Sequence, residues 1–181
     1  MNSRVKELVY LALLTALGTV LMLYEFPLVP AAPHLKINFS FVPILVVAML
    51  YSNNKAILVT IVINTLHFIF VGDHSGLPIG VIANMLALIT YLLIFVFWQK
   101  RKKILLGCVL ATLAVTLVMF FANYFFITPF YFKLLNIPLG DNFFMYCVMT
   151  VGLFNLISWS IISVVNFTIN SWLTNFTKKV K

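Results

Sequence analysis

Acidic residues are scarce in this sequence, which has four Asp and Glu among 181 residues and only 9% charged residues in total. Hydrophobic residues make up 63% of the chain, and its mean hydropathy is +1.09. One soluble domain of this length cannot bury that much apolar surface. The composition therefore predicts an all-α membrane protein and excludes a disordered chain, a disulfide-stabilised scaffold and a nucleic-acid-binding module.

Cysteine and catalytic motifs are also in short supply. Cys108 and Cys147 both lie in apolar runs, where we expect a small buried hydrophobe rather than a disulfide or a metal ligand. The sequence has no glycine-rich phosphate loop of the Walker type, no His-Glu-x-x-His motif and no acid inside an apolar stretch. We therefore expect no metal, no cofactor and no catalytic residue. Any uphill transport would take its energy from a partner.

Six apolar stretches are long enough, or nearly so, to cross the bilayer, which takes roughly 20 helical residues. They are residues 8–24, 39–51, 56–71, 79–98, 104–127 and 143–176, and the second is marginally short. Ten of the twelve basic residues fall on the cytoplasmic side if both termini are cytoplasmic, in agreement with the positive-inside rule. The sequence thus predicts a single domain over residues 1–181, a bundle of six transmembrane helices with both termini in the cytoplasm.

Polar side chains inside these stretches concentrate towards the predicted outer face. Because an unsatisfied amide in hydrocarbon is costly, such groups point at one another or into a polar cavity. We expect an outward-opening pocket, with simple helix-to-helix hydrogen bonding as the alternative. Its candidate residues are Asn38, Asn64, His67, Asn84, Asn123, Asn155 and Ser158. Asn166 and Asn170 lie in the inner half, where we expect them to serve packing or a partner.

The first outer loop, residues 25–41, is too long and too rich in proline for a simple turn. We interpret this loop as a lid over the pocket. Lys36 follows its prolines and can reach a bound molecule without crossing hydrocarbon, although a solvated loop charge or an interfacial anchor is the alternative.

The first helix carries small residues at helical spacing, Ala12 and Ala16, with Gly18 just beyond. Small residues four apart let a second helix approach closely, which is a common mode of association in membranes. The pattern predicts either a partner-binding face or packing within the bundle.

Together these features resemble the substrate-binding S component of energy-coupling factor (ECF) vitamin transporters. The resemblance spans the whole chain and is strongest to the riboflavin-binding branch. It rests on the first helix, on residues 26–43 of the first outer loop, and on the segments Ala83-Asn84, Asn123-Tyr124-Phe125 with Pro129 and Tyr131, and Phe154-Asn155.

The resemblance implies a specific division of labour. Such a component binds a vitamin at its outer face and adds Tyr131 to the candidate site residues. It associates through the small-residue face of its first helix with a transmembrane coupling subunit, and two cytoplasmic ATPases drive the cycle. It would reside in the lipid bilayer of a bacterial plasma membrane and would not be an enzyme.

The chain departs from the riboflavin pattern at several polar positions. Riboflavin members tend to have Asp, Lys and Lys where this chain has Asn38, Ile63 and Ser158. We therefore favour pantothenate, whose carboxylate could meet Lys36, His34 or His67, with riboflavin as the alternative. From other classes, a small membrane enzyme or a channel remains as a competing hypothesis.

Overall fold

The structure is a computed structural model that describes residues 3–29, 32, 35–72, 76–136, 138 and 140–179, with side chains described as far as residue 172. His34, a predicted anion contact, lies outside the described residues. The described chain is largely helical. Its helices are α1 (Ser3–Leu23), α2 (Phe41–Leu50), α3 (Asn53–Val71), α4 (Ile79–Lys100), α5 (Ile104–Ala122), α6 (Thr128–Leu134), α7 (Phe143–Tyr146) and α8 (Leu153–Lys179).

Five helical segments in the described part of the chain are long and apolar enough to cross a membrane. They are Ser3–Leu23, Asn53–Val71, Ile79–Lys100, Ile104–Leu134 and Phe143–Trp172. The second predicted span is instead the short helix α2, whose ten residues rise only about 15 Å. The prediction of a helical bundle is confirmed, whereas the count of six full spans is not.

The short helix α2 forces the segment before it into the bundle. Glu7 near the start of α1 forms an ion pair with Lys55 near the start of α3, so both helices begin at the same end of the molecule. At 1.5 Å per residue, α3 rises about 28 Å, roughly twice the rise of α2. Phe41 therefore lies about halfway along the bundle, and the loop that follows α1 must descend to reach it.

This descending loop contains two short strands, β1 (Phe26–Pro27) and β2 (Lys36–Ile37), paired antiparallel with Pro27 opposite Lys36. The sequence did not predict this strand pair within an otherwise helical fold. Helical periodicity carries no information about a two-residue strand pair, which the prolines permit because their rings exclude a helix.

The fifth helix continues beyond its predicted end. We expect an outer loop from Thr128-Pro129, but a π-helical stretch, Asn123–Ile127, joins α5 to α6 and the helix runs on to Leu134. Proline is tolerated at the first turn of a helix, and Pro129 occupies that position in α6. A second π-helical stretch, Cys147–Gly152, joins α7 to α8.

Close packing and local capping hold these helices in place. The Ser52 side chain accepts a hydrogen bond from the Lys55 backbone and caps α3, and Gly72 ends that helix at a φ of 74°. Gly18 of α1 packs so closely on Ile63 of α3 that a side chain there would overlap it. Gly18 therefore serves packing inside the bundle.

Candidate functional site

A cavity of about 370 Å³ lies between the descending loop and helices α3, α4, α5 and α8. Ligand pockets for molecules of vitamin size typically measure about 300–1,000 Å³. Eight of the nine predicted site residues line this cavity, although they come from six different segments of the chain. They are Lys36, Asn38, His67, Asn84, Asn123, Tyr131, Asn155 and Ser158.

Asn64 is the exception among the predicted site residues. Its side chain is fully buried and is not part of the cavity wall. Its amide nitrogen donates to the Thr60 carbonyl, and its oxygen accepts a 2.8 Å hydrogen bond from Asn84 Nδ2. Asn64 therefore holds Asn84 in position rather than facing the cavity.

Aromatic and aliphatic side chains form much of the remaining wall, and sequence reasoning missed them. Phe41, Met119, Phe154 and Trp159 all line the cavity. The Trp159 ring stacks on the buried Tyr91 ring at a centroid distance of 5.0 Å. With 18 Phe in the chain, nothing in the sequence separates an aromatic wall residue from an ordinary core residue.

Several polar side chains of the wall are oriented by hydrogen bonds to the backbone. Asn123 Nδ2 donates to the Met119 carbonyl, and its oxygen accepts from the Thr128 hydroxyl at 3.0 Å. Asn155 Nδ2 donates to the Val151 carbonyl in the second π-helical stretch. Asn38 Oδ1 accepts from both the backbone and the hydroxyl of Ser40 where α2 begins. These bonds fix the amide groups before any ligand arrives.

Other polar atoms of the wall make no hydrogen bond to the residues that the structure describes. They are Ser158 Oγ and both ring nitrogens of His67. Both side chains are more than nine-tenths buried, and both line the cavity. A buried polar group without a partner costs roughly 1–3 kcal/mol, so a bound molecule that supplies the missing hydrogen bonds gains that energy.

An ion pair lies at the side of the cavity formed by the descending loop. Lys36 Nζ donates to Glu25 Oε2 at 2.9 Å, and His67 Nε2 lies 3.4 Å from Glu25 Oε1. We expected Lys36 to be available to a ligand, but the structure pairs it with an acid that sequence reasoning had given no role. The two residues are eleven apart across a proline-rich loop, so no helical or strand periodicity could have linked them.

A metal site finds no support in the described ranges, since no group of three His, Cys, Asp or Glu side chains in them could hold an ion. Cys108 and Cys147 are buried and separate. The cavity offers amide, hydroxyl, imidazole and paired ionic groups, which suit binding rather than covalent chemistry.

The predicted partner-binding face lies on the outside of the bundle. Ala12 and Ala16 are both exposed on α1. Only 17% of the apolar window of α1 is buried within the chain, against 33–39% for the other four candidate spans. This helix therefore leaves the largest share of its surface to lipid or to another protein.

Comparison with protein families identifies the chain. The family described as "ECF transporter, substrate-specific component" matches residues 6–169, which is most of its length. The chain belongs to the S components of ECF transporters. The resemblance proposed from the sequence is therefore confirmed, as is a multi-pass location in a membrane.

Curated relatives of this S component are transporters of one vitamin. The riboflavin transporter RibU of Streptococcus thermophilus is 32% identical over 88% of this chain and 78% of its own length. The riboflavin transporter FmnP of Bacillus subtilis is 32% identical over 90% of this chain and 88% of its own. RibU of Staphylococcus aureus is 32% identical over 97% and 94% of the two chains.

A solved structure agrees with the sequence relatives. The S component of a bacterial ECF transporter superposes with a TM-score of 0.80 at 28% identity, covering 97% of this chain and 99% of that one. The fold is thus that of an S component, whose family is a substrate-binding part of a transporter rather than an enzyme.

Proposed function

We propose that this S component captures riboflavin in the cavity beneath the descending loop and presents it for uptake. The observation that carries the proposal is the identity of the relatives, which are riboflavin transporters along 88–97% of this chain. Pantothenate, favoured from the sequence, has no such support.

The charge of the cavity argues in the same direction. The preference for pantothenate depended on a free cation that could meet its carboxylate. In the structure Lys36 is paired with Glu25. The described residues of the cavity therefore include no unpaired lysine that could bind an anion. A neutral ligand such as riboflavin enters without breaking this ion pair.

The lining of the cavity suits the two chemical parts of riboflavin. Its ring system is planar and largely apolar, with carbonyl and N–H groups along one edge, and its side chain carries several hydroxyl groups. Trp159, Phe154 and Phe41 provide apolar walls for the ring, and amides on α4, in the first π-helical stretch and on α8 can pair with its polar edge. The hydroxyl groups of the riboflavin side chain can pair with Ser158 Oγ and the His67 nitrogens, which make no hydrogen bond to the described residues.

The departures from the riboflavin pattern are compatible with this ligand. Ser158 supplies a hydroxyl where the branch tends to have Lys, and Asn38 supplies an uncharged amide where it tends to have the carboxylate of Asp. Ile63 is fully buried against Gly18 and is not among the residues that line the cavity, so this position contributes no charge to the site.

Titration of the purified protein tests the ligand directly. Riboflavin fluorescence is expected to be quenched on binding beside Trp159, and calorimetry should give an affinity at least about tenfold tighter than for pantothenate. The Ser160→Ala variant serves as a control for substitution outside the cavity and should bind riboflavin like the wild type, since the exposed Ser160 hydroxyl donates to the Leu156 carbonyl of its own helix. Tight pantothenate binding without riboflavin binding would refute the proposal.

We further propose that both termini face the cytoplasm and that α1 docks on a transmembrane coupling subunit, with two ATPase subunits supplying the energy. The positive-inside distribution supports the orientation. The exposed Ala12 and Ala16 support the docking face, because small side chains let a neighbouring helix approach closely.

Bulky substitutions test the docking face. Ala12→Trp or Ala16→Trp should abolish co-purification with the coupling subunit and vitamin uptake, while riboflavin binding to the isolated S component is retained. Leu113→Trp, at an exposed position on α5, is the control and should leave the complex intact. Equal complex formation by all three variants would rule out this face.

A further inference from the structure

We propose that Glu25 is a specificity-determining residue: by occupying Lys36, its carboxylate keeps anionic ligands out of the cavity. The inference rests on the proposed binding of riboflavin and extends it to the class of ligand that is rejected, namely phosphorylated or carboxylated molecules.

The geometry places Glu25 between two basic side chains. One carboxylate oxygen accepts from Lys36 Nζ at 2.9 Å, and the other lies 3.4 Å from His67 Nε2. Glu25 lies two residues beyond α1, Lys36 lies in β2 and His67 lies in α3, so one acid links two parts of the descending loop to the body of the bundle. One carboxylate oxygen is therefore hydrogen-bonded to Lys36 before a ligand binds, and the other lies close to the imidazole without a hydrogen bond to it.

Burial makes this neutralisation effective. The side chains of Glu25 and Lys36 are 17% and 33% exposed, and that of His67 is 7% exposed. Charges that are partly removed from water are screened less than surface charges. Among the cavity-lining residues that the structure describes, two are Asp, Glu, Lys or Arg, namely Glu25 and Lys36. Their formal charges are opposite and cancel.

An anion entering this cavity would meet two obstacles. It would have to share Lys36 with Glu25 or displace it, and in either case the Glu25 carboxylate would lie beside the new negative charge. Like charges at short range in a partly dry site repel strongly. A neutral polyol faces neither obstacle, because its hydroxyls can donate to the carboxylate while the ion pair stays in place.

Removing the charge of Glu25 should reverse this selectivity. In Glu25→Gln the side chain keeps its size, but the positive charge of Lys36 is no longer balanced. Lys36 and His67 then become donors for a phosphate or a carboxylate. The variant is therefore expected to gain affinity for anions rather than only to lose affinity for riboflavin.

The experiment compares riboflavin with riboflavin 5′-phosphate, which differ only in the phosphate group. Both are titrated into the detergent-solubilised full chain, and the ratio of their dissociation constants is measured. Wild-type protein should prefer riboflavin, and Glu25→Gln should shift the ratio towards the phosphate by about tenfold or more. Glu25→Gln combined with Lys36→Met should cancel the shift.

Glu7→Gln is the matched control, since Glu7 is the other Glu that is ion-paired with a lysine and lies at the far end of α1. It should leave the ratio at the wild-type value. An unchanged ratio in Glu25→Gln, or a folded Glu25→Gln protein that binds neither flavin, would overturn the role of Glu25. Failure of wild-type protein to bind riboflavin would instead overturn the proposed function on which this inference depends.

Discussion

The two ends of the helix bundle use the same kinds of polar side chain for different purposes. At the cavity end, Ser158 and His67 line the cavity, and Ser158 Oγ and the His67 nitrogens make no hydrogen bond in the described chain. Towards the other end, Tyr91 Oη lies 2.9 Å from Ser163 Oγ, which lies 2.8 Å from Thr112 Oγ1. Residue type alone therefore does not separate the cavity wall from a packing contact, because Ser158 and Ser163 lie on the same helix and differ in what their hydroxyls meet.

The packing cluster also answers the question that the sequence left open about two asparagines. Asn166 Nδ2 donates to Tyr91 Oη at 3.1 Å, and Asn170 Oδ1 accepts from Gln99 Nε2 at 2.8 Å. Both contacts join α8 to α4. We therefore assign Asn166 and Asn170 to helix association, where such hydrogen bonds contribute about 1 kcal/mol each.

The largest expected effect comes from the same substitution, Asn to Leu, made at two positions of α8. Asn155→Leu removes an amide from the cavity wall and should lower riboflavin affinity by about 5- to 150-fold, since a polar group of a bound ligand loses its partner. Asn166→Leu should leave the affinity unchanged and lower the melting temperature instead. Calorimetric titration and thermal unfolding in the same detergent measure both quantities.

This pair of variants can break the comparison between the two ends. If Asn166→Leu weakened riboflavin as much as Asn155→Leu, the packing cluster would be part of the binding machinery. If neither variant changed the affinity, Asn155 would be a packing residue, held only by its bond to Val151.

Serine substitutions sharpen the same comparison at smaller scale. Ser158→Ala removes a hydroxyl that has no partner in the described chain and should weaken riboflavin by about 2- to 10-fold without loss of stability. Ser163→Ala removes a hydroxyl that contacts Tyr91, Thr112 and the Cys108 carbonyl, so it should lower stability by about 1 kcal/mol and leave affinity unchanged. A loss of stability in Ser158→Ala would mean that its hydroxyl has a partner in the unliganded protein.

Much of this arrangement could be predicted from the sequence, because depth along a helix follows from residue number. Counting 1.5 Å per residue along the apolar stretches placed Asn84 and Asn123 about one turn from the outer face and Asn155 near mid-depth, and the structure brings all three to one cavity. The same arithmetic failed for Asn64. It predicts the height of a side chain but not whether a neighbouring amide stands between it and the cavity.

The loop after α1 could be predicted only in outline. Its prolines indicate a fixed, non-helical segment, but its descent depends on the length of α2, and the pairing of Glu25 with Lys36 depends on that descent. Contacts between residues brought together by an irregular segment have no periodic signature. This is why the preference for pantothenate, which depended on the charge of Lys36, finds no support, while the family assignment is confirmed.

The smallest expected effect concerns the second ion pair, between Glu7 and Lys55. Their side chains are 30% and 41% exposed, and they link the starts of α1 and α3 far from the cavity. Exposed ion pairs contribute about 0–1 kcal/mol, so Lys55→Met should change stability by less than about 1 kcal/mol and leave the riboflavin affinity unchanged. Lys36→Met removes a similar charge from the cavity and should change ligand selectivity. If thermal unfolding and titration gave equal effects for the two variants, the cavity ion pair would have no special role in choosing the ligand.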